Sequence, residues 1–323
     1  MRPLELGPNL LRRFYRGGAR IGAFRGVEAR DDTPEDWVGS TTRAHGEPEL
    51  GRSRLPDGTP LDEALSADPE RFFEPAHLER HGPEPGVLVK LLDAGERLPV
   101  HLHPDDAFAA RELGEPCGKT EAWLVVEAEP GAEMRLGWSR EVGEDELAHW
   151  FAEQDVESML AATVPVPVAA GDAIFVPAGL AHAIGAGILL LELQQPADLS
   201  LLLERHGAAE GEALLGLEAA TALAAVHRGA LPPAEVARLC AGRGRQPLPA
   251  EADAFFRAEL VGGGDSLEAG FSILVGTGGA ASLETEHGGA VPLRRGSTLL
   301  VPYAAGACTV AGDATAIRCR GPE

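Results

Sequence analysis

Two histidine-bearing segments limit what this chain can fold into more than any other feature. In the first, Gly95-Glu-Arg-Leu-Pro-Val-His101-Leu-His103-Pro104, two imidazoles alternate along an extended run and so project from one face of a strand. The second, Gly171-Asp-Ala-Ile-Phe-Val-Pro177-Ala-Gly179-Leu-Ala-His182, reads as a turn, a strand, another turn and a histidine. Between them Glu121 opens the apolar run Glu121-Ala-Trp-Leu-Val-Val-Glu127. Three imidazoles and one carboxylate make a ligand set for a metal that keeps coordination positions open to substrate.

The surrounding pattern is one of strands. Forty glycines and twenty-five prolines divide short apolar runs such as VLVKLLDAG, TEAWLVVEAEPGAEMRLGW, AIFVPAG and GILLLELQQ. Helical spacing is confined to insertions at about 61 to 81 and 143 to 163 and to an alanine- and leucine-rich segment from 198 to 245. His77 and His81, one helical turn apart, and His149 are expected on solvated helix faces. After 246 strands return, and with them an internal repeat: Gly296-Ser-Thr-Leu-Leu-Val-Pro302 copies the spacing of Gly171 to Pro177, with Ala307 where His182 would fall. The expected architecture is mainly β, with two jelly-roll β-barrel domains carrying short helical insertions: a metal-binding domain over 1–197, a helical segment over 198–245, and a ligand-free domain over 246–323.

Composition narrows the function. A net charge of -22 argues against a nucleic acid or an anionic membrane as partner. No apolar run reaches membrane-spanning length, the start MRPLELGPNLLRRFYR lacks a signal-peptide core, and the four scattered cysteines form no disulfide framework. A cytoplasmic enzyme, monomeric or homodimeric, is expected. Of 28 basic residues only Lys90 and Lys119 are lysines, and both fall in the central stretch, which marks places suited to a compact ammonium.

These motifs resemble the cupin superfamily, whose G-x5-H-x-H and P-x-G-x2-H patterns are matched by Gly95 to His103 and Pro177 to His182. Glu121 comes later than usual, and Ala186 stands where the second motif closes on Asn. Within the superfamily the chain is similar to class I mannose-6-phosphate isomerases, on Val89-Lys90-Leu91-Leu92-Asp93, His103-Pro104-Asp105-Asp106, Gly118-Lys119-Thr120-Glu121 and Leu191-Glu192-Leu193-Gln194-Gln195 with Asp198 beyond. The resemblance implies metal ligands at His101, His103, Glu121 and His182, with His101 replacing a glutamine. Zinc is the implied metal, with Mn, Fe, Co or Ni open.

It further implies a metal-dependent isomerase that moves a proton between C1 and C2 of mannose 6-phosphate through a cis-enediol. Lys119 and Glu192 are the competing proton carriers. A lysine buried beside a cation is expected to have a lowered pKa. Lys90 is expected to hold the anionic end of the sugar phosphate or to pair with Asp198. Family members carry an arginine where this chain has Leu202. Arg16 is a candidate substitute from another segment, and Arg205 lies three residues on. That departure keeps two alternatives open, an isomerase of a different or unphosphorylated sugar and a catalytically inactive sugar-binding bicupin, and the three-His, one-Glu set keeps open a third, an oxygen-using redox cupin with iron.

Overall fold

The computed structural model describes residues 1–240, 242 and 244–323. Its strands, in chain order, begin with β1 (Leu4–Glu5), β2 (Leu10–Leu11), β3 (Glu35–Val38), β4 (Leu88–Ala94), β5 (His101–Leu102) and β6 (Glu121–Ala128). They continue with β7 (Glu133–Trp138), β8 (Thr163–Pro167), β9 (Ala173–Val176), β10 (His182–Ile184), β11 (Ile188–Gln194) and β12 (Leu201–Leu202). The remainder are β13 (Arg257–Val261), β14 (Ser266–Leu267), β15 (Ser272–Gly278), β16 (Ala280–Thr285), β17 (Gly289–Arg294), β18 (Thr298–Val301), β19 (Cys308–Gly312) and β20 (Thr315–Arg320). Among the described residues these form four sheets, antiparallel at every pairing between named strands.

The repeat legible in the sequence is a repeat of topology. One sheet runs β2-β3-β4-β11-β6-β9 and a second β12-β5-β10-β7-β8, while the later strands run β1-β18-β15-β20-β13 and β14-β19-β16-β17. Removing the added edge strands leaves the same order twice: β4-β11-β6-β9 with β5-β10-β7-β8, then β13-β20-β15-β18 with β14-β19-β16-β17. Gly171 and Gly296 open the equivalent strands β9 and β18 with φ of 91° and 82°, a turn conformation glycine adopts without a Cβ penalty. The N-terminal β1 pairs with β18, so the first residues of the chain close the edge of the last sheet.

Burial explains the continuous apolar runs. Every residue of β4 and β11 is buried, because one face of their sheet lines an interior and the other packs against the second half. Leu91, Leu124, Phe175 and Leu191 share one apolar cluster with Ile273, Val275, Ile317 and Cys319 across that contact. A separate cluster that includes Val261, Leu274, Leu283, Leu293, Leu299 and Val310 fills the later pair of sheets. This half has no histidine cluster among the described residues, and beside the aliphatic residues it buries Arg318, hydrogen-bonded to Ser272.

Helices occupy the expected insertions, Leu61–Ala67, Pro69–Phe72 and Pro75–His81 in one, Glu144–Glu153 and Val156–Ala162 in the other. The 198–245 segment starts as strand β12 and then holds only the short helices Glu210–Ala213, Ala219–Leu223 and Pro233–Leu239. Positions 241 and 243 of that segment lie outside the described residues. His149 is exposed as expected, but His77 is not. It is 9% exposed, stacks on Phe73 with ring centroids 4.7 Å apart, and its Nε2 lies 2.7 Å from the Glu84 carbonyl. An aromatic neighbour one turn earlier draws it inward.

Phe175 sits in the contact between the halves, 2% exposed, with Phe255 and Phe256 against its ring. Phe175→Ala should lower stability by about 3–5 kcal/mol in denaturant unfolding. A loss below ~1 kcal/mol would contradict close packing at this contact.

Candidate metal centre

Strand register brings the predicted ligands together. His182 of β10 lies opposite His101 of β5, and Leu202 of β12 faces His101 from the other side. Glu121 opens β6 beside Gln194 of β11. The loop before it is set by Gly118, where a Cβ would fall 2.3 Å from the Pro104 carbonyl oxygen, and by Asp106, which accepts from the Gly118 and Gln195 N–H groups. The three histidines form one group whose ligand atoms lie within 4.8 Å of each other, all buried.

Each imidazole is oriented by a backbone carbonyl. Nδ1 of His101, His103 and His182 lies 2.8, 2.7 and 2.8 Å from the carbonyls of Pro99, Leu199 and Leu180. A carbonyl only accepts, so each Nδ1 carries the hydrogen and each Nε2 turns a lone pair inward. Burial favours that neutral form, pushing His103 down to about 4 and His182 down to about 3, and it lowers His101 as well. Nε2 of His101 and His182 are 3.0 Å apart, and Glu121 stands 3.2 Å from His103 and 3.3 Å from His182. Facing lone pairs repel unless a cation lies between them. Glu121 Oε2 is close to Lys119 and His103 yet accepts no hydrogen bond of good geometry. This donor set fits a divalent transition metal, which neutral imidazoles and a carboxylate could hold.

A row of alternating charges continues from the centre. Lys119 Nζ lies 2.8 Å from Glu121, 2.8 Å from His103 Nε2 and 3.5 Å from Glu192. Lys90 Nζ lies 3.3 Å from Glu192, 3.8 Å from Glu35 and 5.0 Å from the centroid of the Trp37 ring. The register explains the row: Trp37, Lys90, Glu192 and Trp123 are cross-strand neighbours on β3, β4, β11 and β6. Burial alone would lower Lys119, but Glu121 and Glu192 outweigh it and hold the ammonium above its ordinary value. Burial raises Glu192 against the opposing pull of Lys90 and Lys119.

At the opening the structure differs from expectation. Arg16 is exposed, and its backbone N–H donates to Glu96. Arg13 lines the cavity instead, its fork on Asp198 at 2.8 and 3.1 Å and its Nε 3.3 Å from Glu35. Asp198 therefore pairs with Arg13, and Lys90 hydrogen-bonds Glu192. Arg205 turns away onto Phe151, while Leu202 keeps its place in the cavity wall. Sequence reasoning missed Glu35, which accepts from Tyr15 Oη at 2.5 Å and Trp37 Nε1 at 2.7 Å. The alternation of Glu35 and Trp37 in EDWV was the only signal.

Geometry and fold thus define a double β-sandwich protein with a buried histidine and carboxylate centre at one end of its first half. No family model matches the chain. It is 34% identical over 196 residues to the mannose-6-phosphate isomerase of Streptococcus mutans, covering 61% of this chain and 58% of that protein. With the mannose-6-phosphate isomerase ManA of Bacillus subtilis the identity is 31% over 215 residues, 66% of this chain and 64% of the relative. The match therefore spans less than two thirds of these relatives' length. In structure, a mannose 6-phosphate isomerase from Bacillus subtilis aligns with a TM-score of 0.78 at 23% identity, over 99% of this chain and 100% of that one. A putative mannosephosphate isomerase from Archaeoglobus fulgidus gives 0.79 at 21%, over 99% and 98%. The chain is similar in sequence to these isomerases over that part of their length and shares the fold of the two solved structures.

If the imidazoles are ligands, His182→Ala should bind a divalent metal at least about tenfold more weakly, read by metal analysis after dialysis. Retention of a full equivalent would remove His182 from the ligand set.

Proposed function

We propose that the chain is an aldose-ketose isomerase that interconverts mannose 6-phosphate and fructose 6-phosphate through a cis-enediol. The observation that carries this reading is the gathering of three inward Nε2 atoms, Glu121, Lys119 and Glu192 in one buried cavity, in a chain whose relatives bear that name. His101, His103, Glu121 and His182 would hold the metal. Zinc is the metal proposed, since a mannose 6-phosphate isomerase of the same fold is described as bound with zinc, at 16% identity and a TM-score of 0.76. Bound there, a divalent ion supplies Lewis-acid polarisation of substrate oxygens.

The chain's own groups supply the proton chemistry. Glu192, raised by burial, takes the proton from C2 of the aldose and returns it to C1. Lys119, held as an ammonium by its two carboxylates, donates to the oxygen on which negative charge develops. Lys90 keeps Glu192 in place from the opposite side. Asp198 acts at the opening through Arg13. We further propose the division anticipated from the sequence, with a metal-binding barrel over 1–197, a helical linker over 198–245 and a ligand-free barrel over 246–323. A cytoplasmic monomer or homodimer acting on a small sugar phosphate completes the proposal. Among the described residues no helix is long and apolar enough to cross a membrane.

A coupled assay of the metal-analysed protein with mannose 6-phosphate tests the reading. Fructose 6-phosphate should form, chelation should stop it, and added zinc should restore it. A fully metallated protein that forms none would sink the proposal. Lys119→Ala and Glu192→Gln should each lower kcat by about 10²–10⁴-fold with metal content unchanged. Unchanged turnover would take the altered residue out of the reaction.

A further inference from the structure

The cavity lined by His101, Lys119, Glu121 and Glu192 is small, about 40 Å³, room for only a few waters. It continues outward into a larger depression of about 620 Å³. Arg13, Phe14, Ser200 and Leu202 line both, so they form the passage between them. A sugar whose first carbons reach Lys119 and Glu192 must extend its far end through this passage. Leu202, on one wall, offers no hydrogen bond. Arg13, on the other, is the only arginine of the inner wall among the described residues.

Arg13 is held as a prepared donor. Its side chain is 18% exposed, its fork rests on Asp198, Glu35 lies beside Nε, and the Trp37 ring lies 6.0 Å from its guanidinium carbon. Asp198 is itself fixed by the His45 backbone N–H at 3.0 Å. These contacts use one N–H on each terminal nitrogen, and Nε makes no hydrogen bond of good geometry. Nε is buried beside Glu35, so the second N–H of each terminal nitrogen is what remains to bind an oxyanion, with the rotamer already ordered. The inner wall otherwise pairs its charges, with Arg13, Lys90 and Lys119 against Glu35, Glu121 and Glu192. Selection of an anion then rests on direct donors, since the chain as a whole, at -22, repels one.

We propose that Arg13 is the residue that selects a phosphorylated substrate, receiving the phosphate monoester of the open-chain sugar in the passage opposite Leu202. This deepens the isomerase reading and rests on it for the sugar, though not for the anion. The probes are mannose 6-phosphate as substrate and inorganic phosphate as competitor, compared across wild type, Arg13→Met and Arg13→Lys. Arg13→Met leaves Asp198 and Glu35 short of a partner, so Arg13→Met with Asp198→Asn is included to separate folding from binding.

The expected result is a rise of about 10- to 100-fold in KM for mannose 6-phosphate in both methionine variants, with a parallel loss of phosphate inhibition. The change in kcat should be smaller, and Arg13→Lys should recover part of the affinity. A fall in kcat with KM and phosphate inhibition unaltered would assign Arg13 a structural role and overturn the proposal. If wild type leaves mannose 6-phosphate unchanged yet binds phosphate through Arg13, the anion site stands and the isomerase reading fails.

Discussion

Six charged side chains in one buried wall can coexist because they alternate in sign. From the opening inward the order is Arg13, Glu35, Lys90, Glu192, Lys119 and Glu121, with neighbours 2.8 to 3.8 Å apart. At such separations a charge pair near a protein surface is worth about 4 kcal/mol, and a buried charge without its partner costs several kcal/mol. Deleting any inner member would take one opposite-charge partner from each of its two neighbours. The fold supplies what the row needs, because the adjacent strands β3, β4, β11 and β6 hold Glu35, Lys90, Glu192 and Glu121, with Arg13 and Lys119 on the segments next to them, and the second half covers the back of that sheet.

That cover gives the later half a structural role. The outward face of β4, β11, β6 and β9 is apolar, and a sheet with both faces dry must have a second layer to bury it. The later sheets supply that layer, and their own interior closes on aliphatic side chains around the buried Arg318, which donates to Ser272 and to the Glu268 carbonyl. The strand order repeats while the interiors differ: one half holds the buried histidine and carboxylate cluster, and the other backs its sheet.

How much of this was legible in the sequence depended on the range of the signal. The histidine pair, the turn-bounded His182 and the repeat at Gly296 were legible because spacing within one strand and its turns dictates them. Glu35 and Arg13 were not. Each reaches the site through strand pairing, β3 against β4, or through a loop laid across the opening, and such contacts leave no local periodicity. An arginine in a cluster with Arg12 and Arg16 carries no mark that it alone turns inward, and its exposed neighbours fit the ordinary reading of surface charge. His77 was misjudged for a different reason: helical spacing alone does not show that it stacks on Phe73 and meets the Glu84 carbonyl.

The two lysines were legible as an anomaly, and the geometry gives it a cause. In a chain with 28 basic residues of which two are lysines, arginine is the default cation, and it serves where a carboxylate is met edge-on, as Arg13 meets Asp198. Lys119 meets three partners arranged around a point, Glu121, Glu192 and His103, at 2.8, 3.5 and 2.8 Å. Lys90 sits between two carboxylates with an indole ring 5.0 Å from its ammonium. A planar guanidinium placed there would direct its donors into one plane and need more room than the interior leaves. A tetrahedral ammonium satisfies partners in three dimensions from one atom, so the lysines fall where convergence, and not breadth of contact, sets the requirement.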